Sequence, residues 1–184
     1  MIGKKFLTLA CAAGILATGA CFLPPLPEHH PTSPPPLIDL AGIKTIRVEV
    51  LNQATVPHLV PSEVAEGVAT RLNNRRRETG ARAVVQPGTG NEDAVLSITI
   101  LSESAAEAGT ATQAGTRRWS LRSWVSATLT RRDGKVVGQL TNTPYSTPFI
   151  FTEPDAADVW KDPSAHLRFT NMLSNWLVYS LLRG

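Results

Sequence analysis

Half of the chain's prolines lie between residues 24 and 36, where few positions could join a helix or a sheet. The seven are Pro24, Pro25, Pro27, Pro31, Pro34, Pro35 and Pro36. Proline fixes its own φ and has no N–H donor, so we expect an extended polyproline II segment here. At about 3.1 Å per residue, residues 22–36 would span about 45 Å. The sequence therefore predicts a leader, then a tether, then a folded domain beginning near Leu37.

The leader has the pattern of an export signal. Lys4 and Lys5 are a basic start, residues 6–16 are mainly apolar, and residues 17–20 are small. This pattern predicts cleavage after residue 20, directly before Cys21. Small residues before a cysteine resemble a bacterial lipobox, in which the cysteine is acylated and becomes the first residue of the mature protein. The alternative is an ordinary secretory signal in which Cys21 is incidental.

Cysteine usage favours the lipidated alternative. After cleavage Cys21 is the last cysteine left, so no internal disulfide can form, and a free thiol is a liability in an oxidising compartment. The next residue is Phe22 rather than Asp, which by resemblance to enterobacterial sorting implies the outer membrane. We therefore predict three segments: a signal peptide (1–20), a lipidated tether (21–36) and a domain (37–184) held at the periplasmic face of the outer membrane.

Charge does not suggest a nucleic-acid partner. The net charge of +3 includes Lys4 and Lys5 of the leader, and without them 16 Lys and Arg face 15 Asp and Glu, which leaves +1. About 164 residues remain after the leader, with 42% apolar and 18% charged residues over the whole chain. This composition is typical of one small globular domain.

The domain begins with a strand and a helix. Ile46, Val48 and Val50 alternate with charged residues, which is typical of a half-buried strand. An apolar stripe at i, i+4 and i+8 then predicts a helix, with Ser62 as its N-cap and Gly80 as its stop. The stripe consists of Val64, Val68 and Leu72.

Several short strands and one helix follow. Further strands are predicted at 82–85, 94–101, 118–130 and 135–140, with a tight turn at Asp133-Gly134. Residues 102–115 are interpreted as a mobile hairpin loop, and 143–163 as irregular with an edge strand at 149–151. Ser164 is predicted to cap a last helix. The predicted fold is α/β (α+β): a two-layer sandwich with a mainly antiparallel sheet of four to five strands and two helices on one face, in the order β-α-β-β-β-(β)-α.

No pattern of catalytic, metal-binding or cofactor-binding residues emerges. His29 and His30 lie in the tether, His58 lies between loop prolines, and His166 falls in a first helical turn. Three aspartates at positions 155, 158 and 162 lack the glycine and distal glutamate of a calcium loop. We therefore predict a protein without catalytic activity, metal or cofactor.

Several segments together resemble the lipopolysaccharide-assembly lipoprotein family LptE. In order they are 43–48 with Asn52 and Thr55, the amphipathic helix, 92–96, 127–129 and 133–137, within residues 41–182. The resemblance implies a two-layer α/β plug inside the outer-membrane barrel protein LptD, which helps to deliver lipopolysaccharide to the outer leaflet.

Basic residues are the candidates for contact with lipopolysaccharide, whose lipid A portion carries phosphates. Arg131, Arg132 and Lys135 lie at a predicted hairpin tip, and Arg117, Arg118 and Arg122 lie along the preceding strand. The alternative is that these are solvated charges or contacts to a barrel. Two other functional classes stay open: a generic outer-membrane lipoprotein that binds a protein or the cell wall, and, with less support, a small periplasmic hydrolase.

Overall fold

The structure, a computed structural model, describes Leu40 and residues 42–85, 90–110, 116–152 and 159–183. The predicted signal peptide, Cys21 and the proline tether lie outside these residues, so they stay predictions. Within the described ranges, no helix combines the length and apolar character needed to cross a membrane.

Five strands and three helices make up the described chain. They are β1 (Thr45–Asn52), α1 (Pro61–Asn74), α2 (Arg76–Thr79), β2 (Arg82–Val85), β3 (Ala94–Thr110), β4 (Thr116–Arg131), β5 (Val136–Thr152) and α3 (Pro163–Arg183). The α/β sandwich predicted from the sequence is confirmed, with the short α2 as an addition.

The sheet is mixed, with the strand order β2-β1-β3-β4-β5. β1 is parallel to both β2 and β3, whereas β3, β4 and β5 form an antiparallel meander. A crossover through α1 brings β2 back in the direction of β1, which gives the first parallel pair. Because β3, β4 and β5 are long, most of the sheet is antiparallel, as predicted. The two pairings of β1, with β2 and with β3, are parallel instead.

The two long helices pack on one face of this sheet. Alternate residues of β1, β3 and β4 are buried beneath them, including Ile46, Val48, Leu96, Ile98, Ile100, Leu121, Val125 and Leu129. The helices contribute the buried residues Val64, Val68, Leu72, Phe169, Leu173, Leu177 and Leu181. The buried stripe of α1, Val64, Val68 and Leu72, is the one that the sequence periodicity predicted.

Two strands extend well beyond their predicted limits. β3 continues to Thr110, so most of the predicted loop 102–115 is strand, and its last residues, 111–115, lie outside the described chain. β5 continues from the hairpin to Thr152, through the region predicted to be irregular. Pro144 and Pro148 are compatible with this because β5 is an edge strand, where a missing N–H can face outward. Pairing with β4, rather than local apolar alternation, stabilises both extensions.

Both predicted serine caps are wrong. α1 begins at Pro61 after Val60, and no side chain caps it. Proline suits the first helical turn because the N–H it lacks would have no helical partner there. At α3 the cap is Asp162, whose Oδ1 accepts hydrogen bonds from the backbone N–H groups of Ser164 (2.8 Å) and Ala165 (3.3 Å). Gly80 was predicted to stop the first helix, but α1 already ends at Asn74, and Gly80, with a φ of 71°, ends the separate α2 instead.

Candidate docking surface

The face of the sheet opposite the helices carries no helix within the described ranges. Because successive side chains of a strand point to opposite faces, burial of Trp119, Leu121 and Val125 beneath the helices directs their neighbours outward. We call this outward surface the open sheet face. On β4 it consists of Arg118, Ser120, Arg122, Trp124, Ser126, Thr128 and Thr130, flanked by Ser97, Thr99, Ser102, Ser104 and Ala106 of β3. The face is broad, polar and rich in hydroxyl groups.

Trp124 interrupts this polar surface. Its side chain is 38% exposed and lies between Ser102 of β3 and Pro144 of β5, the residues paired with it in register. Exposed tryptophans surrounded by polar groups are frequent energetic centres of protein interfaces. The sequence analysis did not single out Trp124, although its spacing from Arg118 and Arg122 already placed it on the outward side of β4.

The sheet is irregular at the level of Trp124. The register of β3 against β4 shifts between Ile100 and Ser102, and the register of β4 against β5 shifts between Val125 and Ala127. On β5 the shift coincides with Asn142, whose φ is 45° and whose N–H donates to Ser126 Oγ at 2.9 Å. Such bulges bend strands and turn side chains to new directions. Trp124 therefore lies between two irregularities, one in the pairing of β4 with β3 and one in the pairing of β4 with β5.

A shallow depression adjoins the open sheet face at the free edge of β5. It has a volume of about 330 Å³ and is lined by Arg118, Pro148, Phe149, Ile150 and Arg168. Ile150 is 64% exposed, and the Arg168 guanidinium carbon lies 5.4 Å from the centroid of the buried Phe149 ring. Two guanidinium groups and an exposed isoleucine thus occupy the same stretch of sheet edge.

The predicted basic hairpin tip exists at the opposite end of β4. The tip turns through Gly134, whose φ is 86°, and Asp133 Oδ1 accepts a 3.0 Å hydrogen bond from the Lys135 N–H. Arg132 and Lys135 are exposed there, whereas Arg131 is half-buried. The Arg132 N–H also donates to the Asp93 carbonyl at 2.8 Å, which fixes the tip to the start of β3.

The six basic candidates therefore form two groups rather than one. Arg131, Arg132 and Lys135 are together at the tip, but Arg117 lies fourteen positions from Arg131 on β4 (131 minus 117), about 46 Å along the strand. Arg118 and Arg122 share the open sheet face, and Arg117 is exposed beside them in sequence. One anionic headgroup cannot contact both groups. Cys21, the predicted lipid anchor, lies outside the described residues.

Asp93 organises the end of the sheet that carries the tip. Its Oδ2 accepts hydrogen bonds from the N–H groups of Lys44 (2.8 Å) and Thr45 (2.9 Å) and from the Thr45 hydroxyl (3.1 Å). These donors, the Lys44 and Thr45 amides above all, hold the pKa of the Asp93 carboxyl below its ordinary value. Asp93 is therefore an ionised connection between the starts of β1 and β3.

The two histidines within the described residues, His58 and His166, pack and hydrogen-bond within the domain. The His58 ring stacks on Trp160 with centroids 4.9 Å apart, and His166 Nε2 faces the His58 carbonyl oxygen at 3.2 Å. His166 Nδ1 lies 3.5 Å from Glu63 Oε2. In a Glu–His catalytic pair the distal nitrogen faces a nucleophile, but here it faces a backbone oxygen. Among the residues that the structure describes, no three His, Cys, Asp or Glu side chains converge as a metal site would require.

No protein-family model matches this chain, and no curated protein matches it either. Solved structures do resemble it. A minor lipoprotein from Acinetobacter baumannii is 9% identical, with 76% of this chain and 90% of that chain covered and a TM-score of 0.44. An uncharacterised lipoprotein B from Nitrosomonas europaea is 12% identical, with 76% and 83% covered and a TM-score of 0.44. The PelC dodecamer from Paraburkholderia phytofirmans is 19% identical, with 83% and 96% covered and a TM-score of 0.42.

Proposed function

We propose that this chain is a lipid-anchored outer-membrane lipoprotein that assists the transport and assembly of lipopolysaccharide as the partner of an LptD-like barrel protein. The observation that carries the proposal is the open sheet face with Trp124 in it. A domain that docks inside or against a barrel needs a broad surface able to form many hydrogen bonds with the lumen wall. Hydroxyl groups on β3 and β4 supply donors and acceptors, and Trp124 supplies an apolar anchor.

The positions that resemble the LptE family support the same proposal. Residues 43–48 begin β1, residues 92–96 begin β3, and residues 127–129 end β4. Residues 133–137 are the hairpin tip and the start of β5. Although they are distant in sequence, these segments meet at one end of the sheet, where Ile46 pairs with Ala94 and Ala94 pairs with Arg131.

The predicted anchor and tether would hold the domain at the membrane. A diacylated Cys21 would retain the chain at the periplasmic face of the outer membrane. A polyproline segment of about 45 Å would let the domain reach a partner that protrudes from the lipid surface. In this proposal the protein acts by binding, without catalysis or a cofactor.

Purification of the full lipidated protein from its native membranes tests the proposed partner. We expect an integral outer-membrane barrel to be recovered with the wild-type chain and to decrease at least tenfold with the double variant Trp124→Ala, Arg122→Gln. Leu167→Ala is the matched control because Leu167 is also an exposed apolar residue, 61% accessible, but lies on α3 in the helical layer. Equal recovery of the barrel with both variants, or no barrel at all, would contradict the proposal. Recovery of a soluble periplasmic protein instead would favour the generic lipoprotein.

The anchor has a separate test. Mass spectrometry of the mature N-terminus should find an acylated cysteine at position 21. An unmodified residue other than Cys21 at the mature N-terminus would remove the anchor from the proposal while leaving the docking surface to be judged by the purification.

A further inference from the structure

A groove lies in the helical layer, on the opposite side of the sheet from the open sheet face. It has a volume of about 420 Å³, within the range of small-molecule sites. It is lined by Arg71, Tyr145, Asn171, Met172, Asn175, Trp176 and Tyr179. Three elements contribute: α1 supplies the arginine, β5 supplies one tyrosine, and α3 supplies the rest. The docking proposal makes no use of this groove.

Aromatic side chains form part of the groove. The Tyr145 and Trp176 ring centroids lie 5.2 Å apart with an interplanar angle of 32°, and Tyr179 is 42% exposed. Burial raises the pKa of the Tyr145 phenol above the ordinary tyrosine value, so the group is neutral at neutral pH, as an ordinary tyrosine is. The groove thus offers apolar ring faces beside a neutral phenol.

Besides the tyrosine hydroxyls, the groove has the amides of Asn171 and Asn175 and the cation of Arg71. Asn171 and Asn175 are exposed and four residues apart on α3, so their side chains lie on the same face of the helix. Each amide offers both a donor and an acceptor. Arg71 adds a guanidinium group, and the Arg75 guanidinium carbon lies 5.9 Å from the Tyr179 ring centroid.

The part of the groove's lining that the structure describes contains no acidic side chain. None of the seven lining residues is an aspartate or a glutamate, and α3 has neither along its whole length. A ligand that suits this composition has hydroxyl groups for the amides, an apolar ring face for the aromatic side chains and an anion for the guanidinium groups.

We propose that this groove binds an acidic saccharide, a sugar that carries a carboxylate or phosphate. The aromatic side chains would pack against the C–H face of the sugar ring, while Asn171 and Asn175 would bind adjacent hydroxyls. Arg71 would bind the acidic group, because a guanidinium can form two parallel hydrogen bonds with a carboxylate or phosphate. The inference does not depend on a barrel partner.

Calorimetric titration of the mature lipidated protein in detergent tests this, with trigalacturonate as the acidic probe. We expect trigalacturonate to bind, and maltotriose, a neutral trisaccharide, to bind at least tenfold more weakly. Citrate measures the contribution of charge alone. Absence of trigalacturonate binding, equal binding of maltotriose, or equal binding of citrate would each overturn the proposal.

Variants locate the binding within the groove. Arg71→Gln, and separately the pair Asn171→Ala with Asn175→Ala, should each weaken trigalacturonate binding about tenfold. Arg76→Gln is the matched control, since it removes a nearby exposed arginine of α2 that does not line the groove. Because the two variants alter different elements, a folding defect in one leaves the other informative. Binding that both groove variants leave unchanged, or that Arg76→Gln weakens as much, contradicts the assignment.

Discussion

Asp93 and Thr45 exchange three hydrogen bonds across the parallel pair of β1 and β3. Asp93 Oδ2 accepts from the Thr45 N–H at 2.9 Å and from its hydroxyl at 3.1 Å, while the Asp93 N–H donates to the same hydroxyl at 3.1 Å. The Thr45 hydroxyl thus acts as donor and acceptor at once. These contacts join two strands whose sequences lie almost fifty residues apart.

Acid should weaken this junction. Because hydrogen bonds favour ionised Asp93, its pKa is lowered in the folded state, and the stability it contributes is complete above the ordinary aspartate pKa of about 3.9. That contribution is lost as the pH falls through the lower folded-state pKa. Asp93→Asn should therefore be less stable than wild type at pH 7, and the difference should shrink below about pH 4. Thermal unfolding of both proteins across this range measures the effect, with Glu66→Gln on the exposed side of α1 as the control. A constant difference at all pH values would contradict the prediction.

Glu103 should stabilise the loop between β1 and α1. Its Oε2 accepts the N–H groups of His58 and Leu59, both at 2.9 Å, and its Oε1 accepts Asn52 Nδ2 at 2.6 Å. A hydrogen bond to a charged group contributes more than one between neutral groups, so Glu103→Ala should lower the free energy of unfolding by about 2 kcal/mol. Urea unfolding measures the loss. Glu107→Ala, at an exposed site on the same strand, is the control and should have little effect.

The crossing of the two long helices should depend on Gly67. A methyl group added there would lie 2.5 Å from Ser174 Oγ and 3.1 Å from Ser174 Cβ. Ser174 is fully buried, so the added atom would overpack the interface, and we expect Gly67→Ala to destabilise the protein by about 1–2 kcal/mol. In a Ser174→Gly background the space is free, and Gly67→Ala should instead stabilise by up to about 1 kcal/mol through helix propensity. A double-mutant cycle by urea unfolding tests this change of sign.

Two residues are candidates for the N-terminal cap of α3: Asp162, which the structure assigns, and Ser164, which the sequence suggested. Asp162→Ala should cost about 1 kcal/mol, because it leaves the N–H groups of Ser164 and Ala165 without their side-chain acceptor. Ser164→Ala, which removes the cap suggested by the sequence, should change the free energy of unfolding by less than about 0.5 kcal/mol. Thermal unfolding of the two variants compares them directly. A larger loss for Ser164→Ala would show that the assigned cap is wrong.

The two basic groups, one at the hairpin tip and one at the other end of β4, can be distinguished by their contributions to lipopolysaccharide affinity. Replacing Arg131, Arg132 and Lys135 by glutamine should weaken binding of purified lipopolysaccharide, most strongly at low salt, because contacts between exposed charges are screened. The same change at Arg117, Arg118 and Arg122, the competing candidate group on the far part of β4, is measured for comparison. Surface plasmon resonance at about 0.05 and about 0.5 M NaCl provides the measurement. Unchanged affinity of the hairpin-tip variant, or a larger loss for the variant of Arg117, Arg118 and Arg122, would reject the hairpin tip as the contact.

Local periodicity was enough to predict much of the fold. The apolar stripe of α1, the strand predicted over residues 118–130 and the Asp133-Gly134 turn all correspond to elements found in the structure. In each case the signal lies within a few neighbouring residues, since a helix or strand must bury one face whatever it packs against.

Periodicity alone was not enough to predict every residue of the candidate surfaces. Trp124 is an even number of positions from Arg118 and Arg122, so on a strand it points to the same outward face. Its exposure could therefore have been predicted from the sequence. The groove could not be predicted, because Tyr145 and Trp176 lie on different elements and meet only after β5 pairs with β4 and α3 packs on the sheet. The same holds for Glu103, whose partners on the loop before α1 are more than forty residues away.

The amino-acid sequence by itself determined which residues are buried and where the helices and the main hairpin form, because these properties depend on near neighbours. Tertiary structure alone decided that β1 lies parallel to β3 and that β3 and β5 extend through polar and proline-containing stretches. Those outcomes depend on which distant segment pairs with which. A strand of weak intrinsic preference is stabilised by hydrogen bonds to its neighbour, and that neighbour is chosen by the packing of the whole domain.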